Sequence, residues 1–153
     1  MEKTQNEIQK ERRAELEQMA NELIKRCQTA TLTSINEKGY PRTCVLGIAK
    51  AEGFMDIFFI TGKRSEKAGK VPEFEKNPKA SVCYYNGCDS VTLIGEVTFV
   101  TDKETQNAIW DDAHRGFFKK GTDDPKFRLL KFHTMEATFW IQGKFRTCEY
   151  KQK

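Results

Sequence analysis

Short runs of β-branched, aromatic and aliphatic residues, separated by turns of a few residues, recur along the chain after Ala30. Connections this short join antiparallel neighbours, because a parallel pair needs a crossover of about a dozen residues or more. The pattern therefore favours a mainly β fold, a six-stranded antiparallel barrel with flanking helices, over βαβ units. The expected strands are Ala30–Ile35, Pro41–Ala51, Phe54–Thr61, Ala80–Tyr85, Ser90–Val100 and Phe132–Gln142, with Gly143–Tyr150 as a candidate extension.

Helical patterns flank and interrupt these strands. Apolar residues recur every three or four positions from Leu16 to Cys27, which predicts an amphipathic helix, and residues before about Glu11 are expected to fray. The charged stretch 62–78 lacks the β pattern, so we expect a loop and then a short helix that ends at Asn77-Pro78. The other helices are expected from Thr101-Asp102 to about Asp112 and, as a short helix with a loop, within 114–131.

Two glycines mark places where the backbone has to depart from regular geometry. Gly39 ends the turn that begins at Asn36, and a glycine there is free to adopt a positive φ. Gly95 stands inside the fifth expected strand, where a glycine indicates a β-bulge or a barrel corner.

Bulk properties argue against several classes of protein. A chain of 153 residues suits one domain, which we expect to span residues 1–153. The net charge of +4 is not gathered into a basic stripe, so we expect no nucleic-acid partner. No apolar run could cross a bilayer and the charged segment 1–13 does not resemble a signal peptide, so we expect no membrane partner and a cytoplasmic location.

Cysteine and histidine patterns predict neither disulfides nor a metal site. The five cysteines are irregularly spaced and odd in number, and no Cys-x-x-Cys pair is present. His114 and His133 stand alone, without a second histidine or a carboxylate at ligand spacing. We therefore expect free thiols and no bound metal.

The most informative segment runs from Phe58 to Lys67, where a strand ends at Thr61 and a loop leads to Ser65-Glu66-Lys67. Hydroxyl groups can donate hydrogen bonds to an anion there, and Arg64 and Lys67 add positive charge. We expect Ser65-x-Lys67 to begin a helix, whose free N–H groups would also face the anion. The segment predicts a phosphate site, with solvated surface charges as the alternative. The glycine spacing of a P-loop is missing, so a monophosphate fits better than a nucleoside triphosphate.

This segment resembles the flavin-binding split barrels related to pyridoxamine 5′-phosphate oxidase. The likeness extends over nearly the whole chain, through Gly39–Thr43, the Phe-Ile-Thr strand end, Ser65-x-Lys67 and Asn77-Pro78. A second set of residues resembles the general stress protein 26 subgroup of that family. This set comprises Trp110, Phe117-Phe118, Lys120-Gly121, Asp123-Asp124-Pro125, Leu129-Leu130 and Trp140.

The resemblance implies a homodimer that binds FMN, with FAD as a second possibility, at the interface between its subunits. It implies that Arg42, Thr43 and Cys44 border the isoalloxazine ring, and that Ile60 and Thr61 contact the ring and ribityl chain. It further implies that Ser65 and Lys67, with Arg64 nearby, hold the phosphate, and that Trp110 packs near the partner's flavin.

The implied activity is a flavin-dependent oxidoreduction with a small-molecule reductant or substrate. Pyridoxamine phosphate oxidases end in an Arg-Leu-x-Pro segment, whereas this chain ends in Phe145-Arg146-Thr147-Cys148-Glu149-Tyr150, so we do not expect that particular reaction. No catalytic residue stands out. The alternatives are a non-catalytic flavin-binding stress sensor and a split barrel that uses another cofactor, heme or a deazaflavin.

Overall fold

A computed structural model describes residues 1–151, so the last two residues of the expected domain lie outside the described part. Within that part, one antiparallel sheet of eight strands curls into a split barrel, in the order β2-β1-β5-β6-β7-β4-β3, with β8 paired to β7. The expected mainly β fold is confirmed. The strands are β1 (Thr29–Ile35), β2 (Pro41–Gly47), β3 (Lys50–Glu52), β4 (Asp56–Gly62), β5 (Lys79–Asn86), β6 (Asp89–Val100), β7 (Phe127–Ile141) and β8 (Lys144–Glu149).

The predicted count of six strands is wrong because the segment Pro41–Ala51 is two strands and β8 is a strand of its own. At the break, the Ile48 N–H donates to the Gln28 carbonyl and the Ala49 N–H donates to the Phe58 carbonyl, both at 2.9 Å. The chain thus leaves the β1 edge of the sheet and joins the β4 edge within two residues. This exchange of partners closes the barrel and divides the expected strand.

The helices are α1 (Gln5–Lys25), α2 (Lys70–Lys76) and α3 (Lys103–Ile109). The expectation that residues before Glu11 fray is wrong, because Thr4 and Glu7 form a reciprocal capping box. The Glu7 N–H donates to Thr4 Oγ1 at 3.2 Å, and the Thr4 N–H donates to Glu7 Oε2 at 2.9 Å. These bonds satisfy backbone donors at the start of α1 and hold its first turns in place.

The apolar face of α1 covers one side of the barrel. Its buried residues pack against aromatic side chains of the sheet, and the hydroxyl of the buried Tyr84 donates to the Ala20 carbonyl at 3.2 Å. The helical residues that enter this core are Leu16, Ala20, Leu23 and Ile24.

A β-bulge lies where β6 and β7 bend, with the register shifting between Ile94 and Gly95, as predicted for that glycine. A Cβ atom on Gly95 would collide with the carbonyl oxygen of His133 and approach the Phe132 ring to 2.9 Å. The two backbones approach this closely only because residue 95 has no side chain.

The segment before β7 differs from the prediction. Strand β7 begins at Phe127 instead of Phe132, and the expected short helix is replaced by two 3-10 turns, Asp112–Gly116 and Gly121–Asp123. The first residues of β7 pair with β4, and Phe127 and Leu129 join a second apolar cluster there. Packing against β4 therefore extends the strand into a stretch whose local sequence favours turns.

This second cluster covers the face of β4 that points away from the barrel core. Alternate residues of β4 enter the two clusters, Ile57 and Phe59 the main core and Phe58 and Ile60 the second cluster. Strand β4 is therefore buried on both faces, and its C-terminal end is held rigidly where the β4–α2 loop, residues 63–69, begins.

Opposite α1, the outer face of the sheet is open. A row of directly paired residues crosses six strands on that face, and several large apolar side chains stand beside it. The row is Val45, Thr31, Cys83, Thr92, Thr138 and Thr147, and the apolar neighbours are Tyr85, Ile94, Trp140 and Phe145. Among residues 1–151, no helix combines the length and apolar character of a membrane span.

Candidate functional site

The loop between β4 and α2 carries the expected phosphate-binding residues, but it does not begin the helix. Ser65 Oγ accepts the N–H groups of Lys67 at 3.2 Å and Ala68 at 3.1 Å, which closes a tight turn. Helix α2 starts only at Lys70. The prediction that Ser65-x-Lys67 opens the helix is therefore wrong, and helix N–H groups do not contribute at Ser65.

Pro72 explains why α2 begins at Lys70 and not at Ser65. Proline is tolerated in the first turn of a helix, where its missing N–H has no acceptor to reach. A helix that began at Ser65 would place Pro72 in its interior, with a lost hydrogen bond and a clash with the carbonyl four residues earlier. Gly69, at φ +105°, makes the reversal that leads into α2.

Two adjoining clefts of about 270 Å³ each lie between the β1–β2 turn, the β4–α2 loop and α2. They bring Arg42 of β2 together with Lys67 of the loop, two residues that are 25 positions apart in sequence. Together the two clefts are lined by Ile35, Asn36, Glu37, Lys38, Arg42, Lys67, Ala68, Pro72, Glu73, Lys76 and Asn77.

The charges of this cleft are only partly compensated. Lys76 Nζ lies 2.6 Å from Glu37 Oε1, and this contact lowers the pKa of the Glu37 carboxyl. Among the described residues, Lys38 and Lys67 have no carboxylate within ion-pair distance. The cleft can therefore attract an anion, chiefly through Lys67.

Glu73 is a residue of this cleft that sequence reasoning missed. Its side chain is only 4% exposed, and its Oε1 lies 2.7 Å from Arg42 Nη2. The buried Ser34 donates from Oγ to the other oxygen, Oε2, at 2.8 Å. The sequence did contain a signal for this burial, because Glu73 stands between apolar residues in Val71-Pro72-Glu73-Phe74. A carboxylate among such neighbours on a short helix is buried together with them.

Lys63, at the start of the same loop, serves a structural purpose. Its Nζ lies 3.1 Å from Glu66 Oε2 and 3.0 Å from Glu75 Oε1, and these hydrogen bonds raise the pKa of the Lys63 ammonium, Glu75 contributing most. The pair with Glu75 joins the loop to α2, and the pair with Glu66 lies within the loop itself. Arg64 is exposed in this loop.

The expected ring-contacting residues on β2 divide between two faces of the strand. Arg42 and Cys44 pair with Ser34 and Leu32, whose side chains point into the barrel. Thr43 points to the outer face, where its Oγ1 lies 2.7 Å from the Oγ1 of Thr33. The structure thus brings Arg42, but not Thr43, to the side of the strand that lines the cleft.

Ile60 and Trp110 come together in the second apolar cluster. Thr61, the residue before the last one of β4, lies on the other face of that strand. The Trp110 ring packs edge-on against Phe127 at 5.8 Å and Phe118 at 6.4 Å, and its Nε1 donates to Asp112 Oδ1 at 3.0 Å. Trp110 is therefore held in place within its own subunit.

Residues 1–151 contain no cluster of three or more histidine, cysteine or acidic side chains arranged to hold a metal. Neither histidine lines the two clefts. His133 Nδ1 lies 2.8 Å from Asp56 Oδ1 on β4, and His114 packs against Trp110 at 5.9 Å.

The family model described as pyridoxamine 5′-phosphate oxidase like matches residues 15–150. No curated protein matches the chain. Many solved structures are similar, and all those compared below are less than 25% identical to it, so they bear on the fold alone.

A protein from Clostridium acetobutylicum related to general stress protein 26 is 20% identical, with a TM-score of 0.77, over 88% of this chain and 94% of that one. An FMN-binding protein from Nostoc punctiforme, related to pyridoxamine 5′-phosphate oxidase, is 16% identical, with a TM-score of 0.61, over 91% and 94% of the two chains. A heme-binding protein from Mycobacterium smegmatis is 14% identical, with a TM-score of 0.68, over 88% and 57%.

Proposed function

The chain belongs to the pyridoxamine 5′-phosphate oxidase-like family, and from this premise we propose that it binds FMN and acts as a flavin-dependent oxidoreductase. The observation that carries the proposal is the cleft between the β1–β2 turn, the β4–α2 loop and α2, which both Arg42 and Lys67 line and where Lys67 has no carboxylate partner among the described residues. A monophosphate is the anion that such a site suits, since Arg can bind it through a planar fork and Lys as a point charge.

The proposed assignments combine this geometry with the roles that the family resemblance implies. Lys67 holds the flavin phosphate, and the Ser65 hydroxyl, fixed by its turn, adds a donor. Arg42 reaches the phosphate from β2 in addition to bordering the ring. The rigid end of β4, with Ile60 and Thr61, supports the ring and ribityl chain, while Arg64 remains a candidate for the phosphate.

Bound flavin would supply the redox chemistry, and the protein would supply position and charge. A nicotinamide or another small reductant is the proposed electron donor. We do not propose pyridoxamine phosphate as the substrate, because the Arg-Leu-x-Pro end of those enzymes is replaced here by Phe145–Tyr150.

We also propose that two copies pair through the outer face of the sheet, with flavin at the edge of the interface. Val45, Tyr85 and Phe145 are 66%, 66% and 62% exposed, an unusual number of large apolar side chains for one open face. Val45 lies three residues from Arg42 on β2 and on the opposite face of that edge strand, so the outer face and the cleft meet at the β2 edge of the sheet. A second copy on this face could therefore close the flavin site.

An absorption spectrum from 300 to 600 nm with an equilibrium FMN titration tests the proposal. We expect flavin bands and, in Lys67→Ala, an affinity loss of roughly 1.5–3 kcal/mol, the size of a charge-assisted contact. Lys10→Ala is the matched control, since Lys10 is an exposed lysine of α1. Heme bands, or failure to bind any flavin, would contradict the proposal. Turnover with NADH or NADPH distinguishes the enzyme from a non-catalytic flavin-binding module.

A further inference from the structure

Glu73 is an unexpected residue in a cleft that attracts anions. It is one of four polar or charged residues that are buried in the described chain, and it enters the interior with Val71 and Phe74 of the same short helix. A carboxylate this deep is costly unless charge and hydrogen bonds compensate it. Both are present, the Arg42 guanidinium at 2.7 Å from one oxygen and the Ser34 hydroxyl at 2.8 Å from the other.

The ion pair with Glu73 changes the charge that Arg42 presents to a ligand. Its guanidinium remains 53% exposed toward the cleft, but its positive charge is already balanced by Glu73. The contact is an ion pair without the alignment of a hydrogen bond, since Glu73 Oε1 accepts none. A phosphate dianion in the cleft would thus meet an Arg–Glu pair close to neutral overall, with an embedded negative charge beside the positive one.

We propose that Glu73 is a specificity-determining residue that lowers the affinity of this cleft for phosphate dianions, so that flavin phosphate is held loosely enough to exchange. The inference rests on the proposed flavin function for its ligand. Glu73 would act through its charge and not through its shape, because its buried side chain influences a ligand only through Arg42 and through the electrostatic field of the cleft.

The test compares FMN with riboflavin, which shares the ring and ribityl chain but lacks the phosphate. In Glu73→Gln the side-chain shape is kept and one negative charge is lost. The amide oxygen can face Arg42, and the Ser34 hydroxyl can rotate to accept from the amide N–H. We expect FMN to bind about tenfold tighter than to the wild type and to dissociate more slowly. Riboflavin affinity should be unchanged. An unchanged or lower ratio of FMN to riboflavin affinity would overturn the proposal.

Two controls separate charge from structure. Ser34→Ala removes the hydrogen bond to Glu73 but keeps its charge, so it should lower the melting temperature and leave the affinity ratio at the wild-type value. Glu22→Gln removes one exposed carboxylate of α1, outside the cleft, and should change neither quantity. A rise in the ratio in either control variant would show that the effect does not belong to the Glu73 carboxylate.

Inorganic phosphate, titrated into the wild type and Glu73→Gln and followed by ³¹P NMR, separates this inference from the proposed function. If neither protein binds flavin but Glu73→Gln binds phosphate more tightly, the flavin function fails and the role of Glu73 stands. If flavin binds and both proteins hold phosphate equally, the role of Glu73 fails. Unfolding of Glu73→Gln, detected by circular dichroism, moves the phosphate comparison to Glu73→Met, which also removes the charge and suits the apolar face that Val71 and Phe74 form. Affinity equal to the wild type in that variant would overturn the proposal.

Discussion

Gly95 shows how one residue decides the bend of the barrel. The backbones of β6 and β7 approach there so closely that the His133 carbonyl occupies the space of a Cβ atom. No side-chain rotation can relieve such a contact, because the obstructing atom belongs to the backbone of a paired strand.

We expect Gly95→Ala to destabilise the protein by about 2 kcal/mol or more, the range of strained or overpacked substitutions. Urea unfolding followed by circular dichroism measures the change. Gly116→Ala is the matched control, since a Cβ there meets nothing within 4 Å. Equal midpoints for the two variants would show that the bulge accommodates a side chain.

Tyr84 couples stability to high pH. Burial raises the pKa of its phenol far above the ordinary value of 10.0, so the folded state keeps the proton at a pH where the unfolded chain loses it. The stability that this group contributes is complete below about pH 10 and is lost as the pH rises above it.

We therefore expect the stability of the wild type to fall more steeply above about pH 10 than that of Tyr84→Phe, which lacks the titrating group. Below that pH the variant should be less stable by about 1 kcal/mol, because the hydrogen bond to the Ala20 carbonyl is lost. Tyr85→Phe, at a 66% exposed neighbour, should follow the wild-type curve. Parallel curves for the wild type and Tyr84→Phe would refute the assignment.

Among the elements, α1 depends on its N-terminal cap. The first half of this helix precedes Leu16, its first buried residue, so packing contributes little to its first turns. The capping box of Thr4 and Glu7 replaces that missing support.

Thr4→Ala should cost about 1 kcal/mol of local helix stability and increase amide exchange over residues 5–11, with little change in the barrel. Thr4→Ser keeps the hydroxyl acceptor and should behave as the wild type. Exchange rates that are the same in all three proteins would mean that the cap is not what orders this segment.

The same elements show what the sequence can and cannot predict. Residues 30–35 and 90–100 alternate cleanly and lie in one sheet, so their strands were predicted within a residue or two. The break after Gly47 and the early start of β7 at Phe127 depend on contacts with β4, which no local pattern encodes. The pairing of Arg42 with Glu73 depends on a helix that begins later than its sequence motif suggested.

At the scale of the whole molecule, the barrel has one covered side and one open side. Helix α1 packs against the first, while the outer face exposes Val45, Ile94, Trp140 and Phe145 beside a row of threonines. Small residues along this row allow close approach of a second sheet, and the apolar side chains supply area to bury. The dimer that we propose uses this face.

Val45→Asp should raise the dissociation constant of that dimer by about tenfold or more, because symmetry places two unpaired charges in the interface. Sedimentation velocity over a range of protein concentrations measures it. Phe117→Asp changes an apolar residue that is 69% exposed outside the sheet and should leave the assembly intact. A monomeric wild type at micromolar concentration would contradict the proposed dimer.

The position of the phosphate in a crystal structure of the protein grown with FMN tests the central claim most directly. We expect the phosphate in the cleft, within hydrogen-bonding distance of Lys67 and facing Arg42, with the ring toward the ends of β2 and β4. Flavin bound with its phosphate elsewhere on the molecule would contradict this account of the site, and crystals without flavin at saturating FMN would contradict the proposed function.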